Sequence, residues 1–200
     1  DLTFVGPEAP LVLGIVDTFK QANLTMIGPS QKAAQLEGSK EWSKQLMNAY
    51  QIPTADFETF TTHDTALRYL KDKNTYPIVI KADGLAAGKG VTVAQSETEA
   101  IQALDDCFVN NKFAEAGQKV VIEECLFGQE SSIFAFTDGK TILPMLPAQD
   151  HKAIFDGDKG PNTGGMGAYC PAPIVTSSLQ ETINNTIFQP LLNAFKAEDL

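Results

Sequence analysis

Lys81 closes an apolar run from Pro77 to Ala82, and a second lysine, Lys89, lies in the glycine-bearing segment that follows, Asp83-Gly84-Leu85-Ala86-Ala87-Gly88-Lys89-Gly90. A further apolar run, Val91 to Gln95, comes next. Glycine lets backbone N–H groups come close to an anion. Lysine adds a compact charge that suits phosphate. The pattern predicts a nucleoside triphosphate held under a loop between two β-strands. It is not a Walker A loop, because only Leu85, Ala86 and Ala87 separate Gly84 from Gly88, and Gly90 stands where Ser or Thr would hold magnesium. No G-x-G-x-x-G occurs either. A flexible hairpin with surface lysines accounts for this segment equally well on its own.

Two other stretches could carry chemistry. Val120-Val121-Ile122-Glu123-Glu124 delivers two carboxylates at the end of an apolar strand, and Cys125 to Glu130 follows as a connector. Adenine needs backbone hydrogen bonds and an apolar slot, and ribose hydroxyls need an acceptor. Leu126 is a candidate for the slot and Glu130 for the acceptor, although a charged strand end is the plainer reading of Glu123 and Glu124. The third stretch is Gln149-Asp150-His151-Lys152 together with Asp156 to Tyr169, in which Gly157, Gly160, Gly164, Gly165 and Gly167 imply close backbone approach to a ligand. Asp156 and Asp158 do not begin an EF-hand, whose fifth and twelfth positions would here be Gly160 and Gly167. A mobile surface loop is the alternative. The mixture of polar residue types favours a small-molecule site.

These residues need elements to hold them. Leu2 to Val5 reads as a buried strand, Leu11 to Phe19 has helical spacing, and Thr25 to Ile27 reads as a strand, together a βαβ unit with parallel strands. Ser30 can cap a helix through Leu36. Ser39 to Tyr50 predicts another helix, with Trp42, Leu46 and Tyr50 on one face. From Ala55 short strands dominate, at Asp56–Phe60, Ile78–Ala82, Val91–Gln95 and Lys119–Glu124, with helices over 64–72 and 97–109. Strands at Ser131–Thr137 and Thr141–Met145 flank the hairpin signal Asp138-Gly139-Lys140. Residues 147–173 read as a long loop, and the last helix as bent at Pro190.

The chain has 200 residues, 43% hydrophobic and 20% charged, which fits a globular protein with a real core. Its net charge of −10 argues against a duplex-binding surface. No apolar run is long enough to span a membrane, and the start shows no signal peptide. Cys107, Cys125 and Cys170 form no C-x-x-C, and His63 and His151 are too few for a histidine metal centre. A reducing cytoplasm is the expected setting. The opening Asp1 and the strand that follows it at once read as an internal piece of something longer.

Taken in order, Gly6-Pro7-Glu8-Ala9-Pro10-Leu11, Gln35 to Lys40, Lys81 to Gly90, Gln149 to Lys152 and Gly160 to Tyr169 closely resemble the phosphoribosylamine–glycine ligase family of the ATP-grasp superfamily. The resemblance covers the whole chain. It implies an α/β architecture of α+β lobes: a partial ATP-grasp fold preceded by the tail of a βαβ domain. Residues 1–30 would belong to that earlier domain, 31–54 and 127–200 to the large lobe, and 55–126 to the lid lobe.

The resemblance also implies roles. Lys40 and Lys81 match the two lysines that reach the nucleotide phosphates and serve catalysis. Gly84, Gly88, Lys89 and Gly90 match the loop that closes over those phosphates. Glu123 to Leu126 would edge the adenine, and Glu130 would hold the ribose. Glu8 is similar to a contact to the phosphoribosylamine sugar. Asp150, His151, Lys152, Asn162, Thr163, Gly164, Gly165, Met166 and Gly167 match the substrate side. The family joins glycine to 5-phosphoribosylamine with ATP and Mg2+ (or Mn2+) through glycyl phosphate, in purine synthesis. No nucleophile arrangement is found here, which agrees with catalysis by positioning and charge. A monomer is expected for the full-length protein, with neither nucleic acid nor membrane as partner.

Three departures stand out. The family's opening Gly-Arg-Glu-His-type loop and its later Glu-Phe-Asn segment, whose Glu and Asn hold magnesium, have no counterpart among these residues. The metal ligands are therefore expected beyond Leu200, and this piece is expected to be inactive alone. Ala153 stands where the family usually has Arg. Another carboxylate–amine ligase of the superfamily, and an isolated nucleotide-binding module, are the alternatives.

Overall fold

The structure, a computed structural model, describes residues 1–85, 90–157 and 159–200, with Pro161 and Asn162 described in backbone only. Gly88, Lys89 and Asp158 lie outside the described residues. The chain divides into two compact units: Asp1–Ala49 with Pro53–Leu126 and Leu200, and Tyr50–Ile52 with Phe127–Asp199.

The first unit begins with β1 (Thr3–Phe4), α1 (Glu8–Val12), α2 (Ile15–Gln21) and β2 (Met26–Ile27). β1 and β2 pair in parallel, as a βαβ unit requires. The expectation of a buried first strand is corrected: Phe4 is 67% exposed. Among the described residues no third strand joins this pair to cover Phe4. Gly14, at φ 85, breaks the predicted single helix into α1 and α2. The helix expected from Ser30 is reduced to α3 (Gln35–Gly38), Ser30 instead closing a turn by accepting from the Ala33 N–H at 3.1 Å. α4 (Lys40–Ala49) follows.

β3 (Phe57–Phe60), α5 (His63–Lys73), β4 (Ile78–Ala82), β5 (Val91–Ala94), α6 (Glu97–Phe108), a 3-10 turn (Ala114–Gln118) and β6 (Val120–Glu124) complete the unit. Their strands form one antiparallel sheet in the order β3-β6-β4-β5. Thr62 and Ser96 cap α5 and α6 by accepting from the N–H groups of Thr65 and Glu99. The core lies between these helices and one sheet face, where Leu70, Ile78, Ile80, Leu104, Val120 and Ile122 are almost wholly buried. Period-2 alternation of Ile78, Ile80 and Ala82 on β4 with Val120 and Ile122 on β6 produces that face.

The second unit holds β7 (Ala135–Thr137), β8 (Ile142–Pro144), β9 (Gln149–Phe155), β10 (Lys159–Tyr169), α7 (Ser177–Ile183) and α8 (Gln189–Glu198). β7 and β8 form the hairpin expected of Asp138-Gly139-Lys140, with Gly139 at φ 80 and the Asp138 carboxylate accepting from Lys140 and Thr141 N–H. The long loop expected over 147–173 is corrected to the antiparallel hairpin β9–β10, whose register shifts absorb the glycine-rich residues that disguised it. Gly160 sits at φ 85, and a Cβ there would stand 2.5 Å from the Phe155 ring, so only glycine fits. The last helix widens into a π-type turn over Asn184–Phe188, ahead of Pro190 rather than at it. Proline has no N–H to return to the preceding turn, which accounts for the change.

Leu104→Ala should lower unfolding free energy by about 2–5 kcal/mol, measured by urea denaturation, because its site is closed on every side. Burial, aided by Asp106, pushes the Cys107 thiol up to about 11. Maleimide should therefore modify exposed Cys170 in the native protein and reach Cys107 only after unfolding, as mass mapping of the labelled peptides would report.

Candidate functional site

The register of β6 on β4 sets Lys81 opposite Val121 and Val79 opposite Glu123. Since Ile80 and Ile122 face the helices, Val79, Lys81, Val121 and Glu123 must face the other way. Lys81 and Glu123 are then diagonal neighbours, a separation that long side chains bridge. The Lys81 Nζ donates to Glu123 Oε2 at 2.9 Å. A second ammonium, that of Lys44 on α4, lies 3.1 Å from the same oxygen. Lys44 also donates to the Ala55 carbonyl at 3.1 Å and lies 5.4 Å from the ring centroid of Phe57. Phe57 pairs with Glu123 across β3 and β6, so it shares that face. The Lys44 and Glu123 side chains are 8% and 5% exposed and that of Lys81 is 27% exposed, which makes Lys81 the outlet of the cluster. Glu123 Oε1 is buried with no hydrogen-bond partner among the described residues, an unmade acceptor bond that costs about 1–3 kcal/mol.

A second knot fixes Lys40 beside this cluster. Ser39 caps α4 by accepting from the Trp42 N–H at 3.1 Å, and its own hydroxyl donates to the Asp83 carboxylate. Asp83 Oδ1 accepts the Glu41 N–H at 3.1 Å, so the residue that follows β4 helps to cap α4. The Lys40 Nζ donates to the Gly84 carbonyl at 2.7 Å. Gly84 stands at φ 104, a conformation open to glycine, with a Cβ position only 3.2 Å from that of Ala116. Lys119 pairs with Glu41 and its N–H···O bond holds it above the usual lysine range. Burial pulls Lys40 below that range; Asp83 and Glu37 oppose the shift, and the positive charge of Lys81 adds to it. The two lysines expected to meet a phosphate thus act electrostatically on each other within one compact unit. An anion near both would relieve that repulsion and the cost of burying Lys40.

Leu126, at the end of this unit, is 68% exposed, and the Gly90 carbonyl accepts from the Ala82 N–H at 2.8 Å. Glu8 opens α1 and is exposed. In the second unit Glu130 is exposed as well. Strand alternation on β9 puts Asp150 and Lys152, paired at 3.1 Å, on one face and His151 on the other with Gln149. Buried Gln149 accepts from the Tyr169 hydroxyl at 2.5 Å, and Tyr169 lies 5.7 Å from the His151 ring. Thr163 turns its hydroxyl oxygen to the Gly165 N–H at 3.0 Å; the Cβ positions of Gly164, Gly165 and Gly167 face open space, and Met166 is 59% exposed. The Asn162 side chain lies outside the described residues. Within the first unit the structure brings together Lys40, Lys81, Gly84 and Glu123. Sequence reasoning missed Lys44 and Asp83. The i, i+4 spacing of Lys40 and Lys44 on one helix face was a usable signal for the first; nothing local marked Asp83 as a cap.

The sequence model described as the phosphoribosylglycinamide synthetase ATP-grasp (A) domain matches residues 38–200, and that of the N domain of the same synthetase matches residues 1–37. A phosphoribosylamine–glycine ligase of Halalkalibacterium halodurans is 54% identical over 198 residues, 99% of this chain and 46% of the relative. The chain thus spans about half the length of the curated relatives it matches. A crystal structure of phosphoribosylamine–glycine ligase from Thermotoga maritima is similar at a TM-score of 0.78 and 36% identity, covering 87% of this chain and 44% of that one. D-alanine–D-alanine ligase from Bacillus anthracis, solved in complex with ATP, shares the fold at a TM-score of 0.64 and 21% identity, covering 98% of this chain and 60% of that one.

The lowered Lys40 makes stability depend on pH. Its folded value lies below its unfolded one, so the unfolded chain holds this proton more tightly. Stability from this group rises as pH climbs through the folded value and is lost as pH falls. Lys40→Met should flatten the alkaline limb of the curve of stability against pH, followed as urea midpoints between neutral and alkaline buffers; an unchanged limb would remove Lys40 from this environment.

Proposed function

We propose, for a chain that belongs to the phosphoribosylglycinamide synthetase family, that it supplies the phosphate-holding part of an ATP-dependent ligase that joins glycine to 5-phosphoribosylamine. The observation that carries the reading is the convergence of Lys40 and Lys81 at the end of one strand and the start of one helix. Two cations that repel each other form a poor resting arrangement and a good receptor for a polyphosphate. Glu123, near the end of β6, would edge the adenine. Leu126 would line the adenine slot and Glu130 would take the ribose.

In the proposed reaction a glycine carboxylate oxygen attacks the γ-phosphorus of ATP and ADP leaves, giving glycyl phosphate. The amine nitrogen of phosphoribosylamine then attacks the acyl carbon, the C–O bond to phosphate breaks, and the amine loses a proton as the amide forms. Lys40 and Lys81 hold the phosphoryl oxygens and offset the charge that moves from the γ- to the β-phosphate. No side chain needs to become covalently attached. Glu8, the β9 residues Asp150, His151 and Lys152, and the β10 segment from Asn162 to Gly167 would meet the other substrates. Among the described residues no group of three or more His, Cys, Asp or Glu side chains is arranged to hold a metal, and Asp83 and Glu123 are engaged by their own neighbours. The described residues beside the two lysines therefore offer magnesium no ready set of ligands.

No helix among the described residues is long and apolar enough to cross a membrane, and the three cysteines are free. A reducing cytoplasm suits such a protein.

The full-length protein should release ADP only when glycine and phosphoribosylamine are both present. Release with a different acid or amine, and none with this pair, would assign it to another carboxylate–amine ligase. In the same protein Lys81→Ala should weaken ATP binding about tenfold or more by calorimetry, and unchanged affinity would take Lys81 out of the site.

A further inference from the structure

We infer that Lys44 is a positioning residue for nucleotide binding: it neutralises Glu123, so that Lys81 offers its positive charge to a phosphate instead of spending it on the carboxylate. The inference rests on the reading of Lys81 as a phosphate ligand. A carboxylate with one ammonium is a neutral pair, and a neutral pair has little attraction for an anion. Here one oxygen, Glu123 Oε2, is shared by two ammoniums, at 2.9 Å from Lys81 and 3.1 Å from Lys44. The three charges sum to one positive charge. Their exposures fix where it is presented. Lys44 is enclosed and held by three partners, the Ala55 carbonyl, Glu123 and the face of the Phe57 ring. It cannot reach out to a ligand without abandoning all of them. Among the described residues Lys81 is held by Glu123 alone, and more than a quarter of its side chain is open. The surplus charge therefore lies with the lysine that faces out.

An ordinary structural ion pair would need only one lysine. A second, sunk beneath the carboxylate, adds the burial of another charge, which proteins avoid unless a partner demands it. The arrangement is explained if the carboxylate must orient Lys81 without cancelling it. Lys44 has no direct role in contact with substrate; it acts through Glu123.

The test uses the full-length protein and two probes, ATP and adenosine, by calorimetry. Lys44→Met removes the buried charge and leaves a neutral Lys81–Glu123 pair. ATP affinity should fall about tenfold, while adenosine affinity changes by less than about twofold, because adenosine carries no phosphate for the lost charge to attract. Lys44→Arg should keep ATP affinity near the wild-type value. A residue that merely supports the fold would weaken both ligands alike, and equal losses, or no loss, would overturn the inference. Should Lys44→Met fail to fold, the double variant K44M/E123Q decides, since it buries no unpaired charge and restores one positive charge at Lys81. It should bind ATP at least about tenfold more tightly than Lys81→Met does; equal affinities would overturn the inference. If Lys81→Met itself binds ATP as well as wild type, the phosphate-ligand reading fails and this inference fails with it. If Lys81→Met is weak and Lys44→Met is not, only this inference fails.

Discussion

The pairing register of two strands decides almost everything about this site. With Lys81 opposite Val121, Ile78, Ile80, Val120 and Ile122 fall on the helix-covered face, and Lys81 and Glu123 fall on the other with Val79 and Val121. A slip of one residue would drive a charged side chain into the core beside Leu104 and take an isoleucine out of it. The hydrophobic core and the charged cluster are therefore one structural decision seen from two sides. The burial of Ile78, Ile80, Val120 and Ile122 is what makes the position of Lys81 definite.

The same economy appears one step along the chain. β4 does not simply run out at Ala82. Its next residue, Asp83, caps the start of α4, and the residue after that gives its carbonyl to Lys40. The helix that carries Lys40 and Lys44 is thus tied at its first turn to the strand that carries Lys81. Lys119 and Glu41 add a further tie, and the Asp83 N–H donates to the Lys119 carbonyl at 2.9 Å. Residues distant in sequence meet because unsatisfied helix N–H groups need acceptors and a strand end supplies one.

Much of this was legible in advance, for definite reasons. The apolar runs Ile78–Ala82 and Val120–Glu124 are local signals, and the expected bounds of β4, β6, α5 and α6 lie within a residue or two of those observed. The hairpin β9–β10 was not legible, since glycines from Gly157 to Gly167 remove the side-chain alternation by which a strand is recognised. Phe4 misled because an apolar triplet predicts burial without saying what will cover it. Lys44 was passed over for a related reason: a lysine on a helix reads as solvent-facing, and its burial depends on Glu123 and Phe57, which belong to other elements. Long-range pairings of charge leave no trace in periodicity.

The bond from Lys40 to the Gly84 carbonyl has a thermodynamic side. A free lysine samples many rotamers, and freezing them on a ligand carries a cost of up to about 2 kcal/mol. Here one of the three N–H groups of the ammonium is already committed to a fixed carbonyl, and the stem is half-buried. The disorder is given up when the chain folds, and among the described residues no partner takes the other two donors. A phosphate arriving there meets a cation whose entropy has already been lost, so more of the Coulombic attraction survives as affinity.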